Sequence, residues 1–377
     1  MSTINFILDT LDVIYNYDKK IDQIKIPPGL PNVGNTCFHN SVIQLFYRML
    51  EITNFITNDK IKSQYKRSSP INSLIEVLQL MKSNNLNKSS FSNLVMRGVC
   101  PLIPLYYRGT QQDANELLTY ILTGLFPDCP DHHLENNNIE ICKKVNGNII
   151  VIKKFPKNDP RNLFRFKLDY EYCETNIKGD DIDNINKKSL DEYLHSCNSF
   201  KKSKTDIENI LFYIPHSNKS LNEGINNLIE PVIKRKNNLN KLFIQKKKLV
   251  EVSKYLIIAL KSFEYDMYGN SKKKPHKIIL DDIKINNNIY ELIGIVYHIG
   301  MSINSGHYIT NIRYDNTWYE FNDRFITKLD SYDKNYLEEG YSAKLPYIVL
   351  YERIDEESQL INPKDVPSNL NSYLENI

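Results

Sequence analysis

"PNVGNTCFHNS" occupies Pro31–Ser41. It reads as a loop that stops abruptly and becomes a helix: a proline and a glycine give way to Asn35 and Thr36, both good N-cap types, and then to Cys37. Downstream, Val42, Ile43, Leu45, Phe46, Met49 and Leu50 recur at helical spacing, predicting a helix over about 37–50 that packs one face on a core. A thiol at such a junction meets unpaired N–H groups and the positive end of the helix dipole, which favour the thiolate. Gly34 permits backbone angles other residues resist and close approach by another chain, so the loop is expected to present the thiol rather than bury it. A buried cysteine closing a core helix is the competing reading, and the local context alone leaves both open.

Working outward, "INSLIEVLQLMK" (71–82) and "QQDANELLTYILTGLF" (111–126) are further amphipathic helices, and residues 1–20 carry apolar positions at helical spacing. After about residue 130 the character changes. "NLFRFKLDYEY" (162–172), "KYLIIALKSFEYD" (254–266), "YELIGIVYHIG" (290–300), "HYITNIRYDNTWYEF" (307–321, with a turn at Asp315–Asn316) and "PYIVLYER" (346–353) read as strands. Residues 174–188 and 215–240 read as the least structured. Helices first and sheet second is an α+β pattern, with a cleft expected where the halves meet.

The chain has 377 residues, 41% of them hydrophobic, enough for one large domain or two smaller ones. A net charge of +3, from 48 Lys+Arg against 45 Asp+Glu, gives no case for a nucleic-acid binder. The six cysteines are Cys37, Cys100, Cys129, Cys142, Cys173 and Cys197, and no CxxC occurs. The N-terminal stretch lacks a basic start and a small-residue cleavage site. Purely apolar runs such as "LIIAL" (256–260) are too short to cross a membrane. These features lead us to expect a soluble intracellular protein, cytoplasmic or nuclear, with reduced thiols.

A second stretch bears on Cys37. "SINSGHYITNIRYDNTWYEFND" (302–323) sets Gly306 and His307 at the start of a strand, and a tight turn then returns through Trp318 to Asn322 and Asp323. In a hairpin of this length Asn322 can come back close to His307. An Asn or Asp on one ring nitrogen fixes the tautomer and leaves the other nitrogen to face a thiol. Cysteine, histidine and a polar orienter are what thiol-based acyl transfer requires. A satisfied histidine at a strand end, followed by a plain turn, is the competing reading.

Taken together these stretches resemble the ubiquitin-specific protease family of papain-like cysteine peptidases. "GLPNVGNTCFHNSVIQLF" (29–46) is similar to that family's cysteine box and "GTQQDANELLTYIL" (109–122) to its Gln-Gln-Asp-x-x-Glu box. "YLIIALKSFEYD" (255–266), "YELIGIVYHIGMSINSGHYITNIRYDNTWYEFND" (290–323) and "PYIVLYER" (346–353) resemble its leucine-lysine strand, histidine box and closing strand, in the family's order. The resemblance implies a papain-like fold with a helical thumb, a β palm and β fingers, and an active-site cleft between thumb and palm. It implies an N-terminal extension at 1–28, a catalytic domain at 29–353 (helical to about 130, β-rich from about 131) and a polar tail at 354–377.

For the site, the resemblance implies Cys37 as nucleophile, His307 as general base and Asn322 as third member. Asp323 matches a second acidic position near the histidine. Asn32 matches a side chain that helps form an oxyanion hole, a role its amide and a helix-start N–H could share. Asp113 and Glu116, three apart on one helix, would bind the basic ubiquitin tail, and Gly306 would keep one wall of the tail's channel low. For Asp113 and Glu116 an N-cap and a solvated helix face are the plainer alternative. The implied activity is a thiol-dependent deubiquitinase acting on the bond after ubiquitin's C-terminal glycine. The implied partners are ubiquitin and ubiquitinated proteins, with no nucleic acid and no membrane insertion. An inactive ubiquitin-binding module and a peptidase for another ubiquitin-like modifier are the alternatives. Many family members bind structural zinc through two CxxC pairs. Cys142, Cys173 and Cys197 lack that spacing and the His132–His133 pair does not help, so no metal and no cofactor are expected and packing should hold the fingers. Departures include His39, which does not carry chemistry, and Ser262, which replaces the arginine usual after Leu-Lys and has no evident consequence.

Overall fold

The computed structural model describes residues 25–63, 65, 67–103, 110–125, 138–145, 148–156, 163–178, 201–213, 219–226, 232–235, 241–265, 271–273, 278–285, 287–302, 305–332 and 344–354. The expected N-terminal helix, the tail beyond residue 354, and Cys129, His132, His133 and Cys197 lie outside the described residues.

The first half is helical: α1 (Cys37–Arg48), α2 (Leu50–Thr57), α3 (Asp59–Lys62), α4 (Pro70–Ser83), α5 (Lys88–Leu102) and α6 (Ala114–Gly124). Helix α4 starts by the usual physics: Ser69 accepts from Asn72 N and Pro70 occupies the first turn. It stops where Asn84 turns left-handed. Helix α5 has no counterpart in the sequence reading, because Gly98, the internal Pro101 and a polar start mask its periodicity. Burial of Phe91, Leu94, Val95 and Val99 makes it a helix nonetheless.

The second half is a set of sheets. Strands β1 (Asn138–Val145) and β2 (Asn148–Pro156) form a separate hairpin. Then follow β3 (Phe166–Lys178), β4 (Lys201–Glu208), β5 (Leu211–Tyr213), β6 (Lys219–Ser220), a short α7 (Leu221–Asn226), β7 (Val232–Arg235) and β8 (Lys241–Val252). Strands β3, β4, β7 and β8 make an antiparallel sheet in the order β4-β3-β8-β7. Thus β3 runs six residues past the strand expected from sequence, and β6, α7 and β7 order parts of 215–240. Partners distant in sequence supply that order: Glu174 lies opposite Phe243, and Ile233 opposite Ile244.

The remaining strands are β9 (Tyr255–Leu260), β10 (Phe263–Tyr265), β11 (Ser271–Lys273), β12 (Ile278–Ile279), β13 (Ile283–Ile285), β14 (Asn288–Ser302), β15 (Ser305–Tyr314), β16 (Thr317–Asn322), β17 (Phe325–Leu329) and β18 (Lys344–Ile354). The principal sheet has eight strands in the order β17-β16-β15-β14-β18-β9-β5, with β13 also pairing β14. Strand β9 is buried at every position, as its unbroken apolar run requires. The β15–β16 hairpin turns at Asp315 and Asn316, both at positive φ, where the sequence placed it.

One face of this sheet packs the helices in a single core containing Cys37, Phe38, Phe46, Ile257, Val296, Tyr308 and Leu350. Helix α1 is buried along its whole length, including His39, Asn40, Ser41, Gln44 and Arg48. Most of its polar groups find partners in what surrounds it, Gln44 Oε1 being a buried exception. Gln44 donates to the Pro28 carbonyl at 2.9 Å, Thr310 Oγ1 donates to the Ser41 carbonyl at 3.1 Å, and Arg48 donates to the Arg313 carbonyl and to Glu352, each at 2.9 Å. Lys254 bridges Glu352 and Glu51, so a chain of charges welds the far end of α1 to the sheet. His39 touches Phe91 edge-on and is desolvated, which pushes its pKa down to about 4 and keeps it neutral. Among the described residues no helix is long and apolar enough to cross a membrane. None of those residues forms a metal-holding cluster.

Candidate active site

The loop before α1 is shaped by Asn32. Its Oδ1 accepts from the backbone N–H groups of Gly34 and Thr36, both at 3.2 Å, an Asx-type turn. Gly34 and Asn35 inside that turn sit at φ 120° and 52°, the left-handed conformations their residue types tolerate. Thr36 stands at the N-cap of α1, but its hydroxyl faces back into the loop and accepts from Val33 N at 3.0 Å. No side chain caps α1, and no acidic residue lies in its first turn. Cys37, the first residue of the helix, is only 2% exposed. The expected presentation of the thiol is therefore corrected: the loop aims it, and the sheet covers it.

What covers it is His307, near the start of β15. The ring makes a hydrogen bond with Cys37 and a second, through Nε2, with Asn322 Oδ1 at 2.8 Å. Nε2 is thus engaged by Asn322, and Nδ1 is the nitrogen left for the sulfur. The His307 pKa is pushed up to about 9. The bond to Cys37 contributes most, burial opposes it, and the bond to Asn322 and the charges of Cys37 and Asp323 add to the rise.

Asp323, at φ 50° in the turn after β16, ties the two halves together. Its Oδ2 accepts from Asn32 Nδ2 at 3.0 Å, its Oδ1 from Asn40 Nδ2 at 2.8 Å, and its carbonyl from Leu30 N at 2.9 Å. Asn40 also donates to the carbonyls of Leu30 and Pro31. Sequence reading missed Asn40. The available signal was a polar run, His39, Asn40 and Ser41, in the first turn of a helix with an apolar stripe.

Gly306, beside His307, has φ 152°, and any side chain there would lie 2.3 Å from the Ile299 carbonyl and 2.7 Å from His298 Nε2. The glycine is demanded by close packing against the neighbouring strand, a reason separate from any low channel wall. Asp113 and Glu116 lie in the first turn of α6, and the Glu116 charge is felt at Asp113. Asp113 is the N-cap of α6: its Oδ1 accepts from Asn115 N and from the Tyr347 hydroxyl, both at 2.8 Å. Burial raises its pKa even though these two hydrogen bonds favour the carboxylate. Glu116 is exposed and accepts from the Tyr120 hydroxyl at 3.4 Å.

A thiol, an imidazolium and an amide orienter in hydrogen-bonded sequence, at the open N-terminus of a helix, can run nucleophilic acyl transfer. The family model described as ubiquitin carboxyl-terminal hydrolase matches residues 28–351. The chain belongs to that family. Within the hydrolase family it is 24% identical over 328 residues to "Probable ubiquitin carboxyl-terminal hydrolase 16" of Schizosaccharomyces pombe, covering 80% of this chain and 62% of that protein. It is 22% identical to ubiquitin carboxyl-terminal hydrolase 14 of Caenorhabditis elegans, covering 94% of this chain and 79% of that one. For hydrolase 48 of Danio rerio the identity is 24%, over 92% of this chain but 33% of the relative. Among solved structures, the hydrolase fold resembles a chain of the SAGA Ubp8/Sgf11/Sus1/Sgf73 DUB module bound to ubiquitin aldehyde. The TM-score is 0.61 at 18% identity, over 94% of this chain and 77% of that one. The α+β architecture is thus that of the ubiquitin-specific hydrolase domain.

Proposed function

We propose that this protein is a thiol-dependent deubiquitinase that cleaves the peptide or isopeptide bond after ubiquitin's C-terminal glycine. The observation that carries the reading is the hydrogen-bonded series Cys37–His307–Asn322 at the uncapped start of α1, in a chain of the hydrolase family. In this reading the Cys37 thiolate attacks the glycine carbonyl carbon. The developing oxyanion is met by N–H donors at the start of α1 and by the Asn32 amide, which Asp323 steers. The His307 imidazolium gives its proton to the departing lysine amine, leaving a thioester on Cys37. Neutral His307 then takes a proton from water, and the hydroxide attacks the thioester and expels the Cys37 thiolate. Ubiquitin leaves as a carboxylic acid that ionises by giving its proton to the freed amine, so the thiolate–imidazolium pair is restored. In this reading Asp113 and Glu116 would meet the basic tail of ubiquitin; for Asp113 this is a second task beside its cap. The setting is intracellular, cytoplasmic or nuclear, among ubiquitinated proteins.

The test is hydrolysis of di-ubiquitin and adduct formation with ubiquitin vinyl sulfone, with wild type and Cys37→Ala compared. We expect turnover and a single adduct for wild type, and loss of both on removing Cys37, by about 10,000-fold or more. His307 should also titrate well below about 9 in that variant, because its largest raising cause is gone. The measurement is NMR of the ring. Tight ubiquitin binding without an adduct would favour a binding module instead, and cleavage confined to another modifier would change the substrate.

A further inference from the structure

Strand β15 does not pair evenly with β14 along its length. The register slips between Ile299 and Ser302, so the ladder is irregular beside Gly306 and His307. At that irregularity a side chain from the helical half takes the place of a neighbouring strand. Gln111 Nε2 donates to the Gly306 carbonyl at 2.6 Å, and the Gly306 N–H donates to Gln111 Oε1 at 2.5 Å. One planar amide thus grips two consecutive peptide groups, and the carbonyl it holds belongs to the peptide bond that leads into His307.

Gln111 is itself well placed to act as a fixed point. It precedes by two residues the cap Asp113, and the bond from the Tyr347 hydroxyl to Asp113 holds the start of α6 to β18. The ring orientation of His307 depends on its own backbone as well as on Asn322. A peptide that can rotate would swing the ring away from Cys37, and a misplacement of about 1 Å costs roughly 100-fold in such chemistry. The Asn322 bond fixes one end of the ring, and the Gly306 peptide fixes the end where the side chain joins the strand.

We propose that Gln111 is a positioning residue for His307: its amide clamps the Gly306–His307 peptide from the helical side and so sets the ring toward Cys37. This rests on the thiol-hydrolase reading above, and the test separates the two. Alkylation of Cys37 by chloroacetamide is followed by mass spectrometry on the full chain, for wild type, Gln111→Ala and Gln111→Glu, from roughly pH 5 to pH 8.

Gln111→Ala removes both bonds. Its Cys37 should react about tenfold more slowly than wild type at neutral pH, by a factor nearly constant with pH. His307 should titrate below about 9 in this variant. Gln111→Glu is nearly isosteric and behaves differently. As a neutral acid it can accept from the Gly306 N–H and donate to the Gly306 carbonyl. Once ionised it can only accept, and it sets charge against that carbonyl oxygen. Its rate relative to wild type should therefore rise toward one as pH falls. A purely structural role would lower the melting temperature and leave these ratios and the His307 titration where they are, which overturns the clamp. Should Gln111→Ala fail to fold, a flat ratio for Gln111→Glu overturns it alone. A wild-type Cys37 no more reactive than Cys100 would remove the thiol reading together with the clamp. Normal wild-type reactivity with indifferent variants removes the clamp only.

Discussion

Helices α1 and α6 both begin at residues of the candidate site, and their first turns are built in opposite ways. Helix α6 is closed by Asp113, whose carboxylate accepts from Asn115 N at 2.8 Å, and Glu116 adds a second negative group to its first turn. Helix α1 has neither a side-chain cap nor an acid, although Thr36 stands at the cap position. The Thr36 hydroxyl is drawn into the preceding loop, where Val33 N and Asn32 Oδ1 engage it. An N-terminus carries roughly half a positive charge and several unpaired N–H groups. On α6 these are spent on holding a helix in place, and on α1 they are left for whatever anion Cys37 makes. Capping residues at a helix start are thus a sign of stability, and the lack of one beside a nucleophile is a sign of chemistry.

The largest test of this contrast falls on the loop that keeps α1 open. Asn32→Asp retains the oxygen that accepts from Gly34 and Thr36 but replaces the donating amide with a carboxylate facing Asp323. We expect kcat for ubiquitin substrates to fall by roughly 100- to 1000-fold with little change in KM. A rise in KM at constant kcat would move Asn32 into substrate binding. A smaller effect comes from copying the α6 arrangement into α1. Thr36→Asp puts an acid at the open cap, where it competes for the helix N–H groups and repels a thiolate. Alkylation of Cys37 at neutral pH should slow by about tenfold. Unchanged alkylation would mean that the helix start does not act on the thiol.

The smallest effect is expected at the closed helix. Asp113→Ala removes the cap of α6 and should cost about 1 kcal/mol in urea unfolding. Asp113→Asn keeps the cap. The folded pKa of Asp113 is raised, so its stabilising contribution is complete only below the ordinary carboxylate range and is lost as pH rises through the folded value. At pH 7 the neutral amide cap of the Asp113→Asn variant should therefore be at least as stabilising as the ionised carboxylate. Small-probe alkylation of Cys37 should be untouched by Asp113→Asn, which keeps an acceptor for Asn115 N and the Tyr347 hydroxyl, and slowed by Asp113→Ala, which frees the start of α6 and with it Gln111. Ubiquitin hydrolysis distinguishes the two tasks of Asp113: an Asp113→Asn variant with normal stability and a raised KM keeps the tail-binding role, and one with normal KM leaves Asp113 as a cap alone.

Much of this was legible in the sequence, for physical reasons that differ from residue to residue. The stripe of α1, the alternation in β15 and β16 and the Asp315–Asn316 turn are local signals, and the structure has each where the pattern puts it. The approach of Asn322 to His307 followed from counting residues round one hairpin. Burial of Cys37 was not legible, because exposure of the loop depends on a sheet whose covering strand comes far later in the chain. Separation in sequence also hid the partners of Asn40 and Gln111, which lie 283 and 195 residues away. Asp113 could be read as a tail contact or a cap from its position, and only the Asn115 N–H and Tyr347 hydroxyl decide that it is at least a cap.

Strand β18 sits between β14 and β9 in the principal sheet, yet it is the last of the described strands along the chain. Synthesis therefore delivers the middle of the sheet after its flanks. At typical elongation rates, β9 waits roughly 5–20 seconds from its own completion until β18 is finished. For that interval β9, buried throughout in the finished fold, and one side of β14 present open backbone edges to the ribosome surface and to other nascent chains. A growing chain of this kind is a natural client for a chaperone that shields strand edges. Protein released before Lys344 would lack an interior strand of the sheet as well as the Tyr347 anchor of α6.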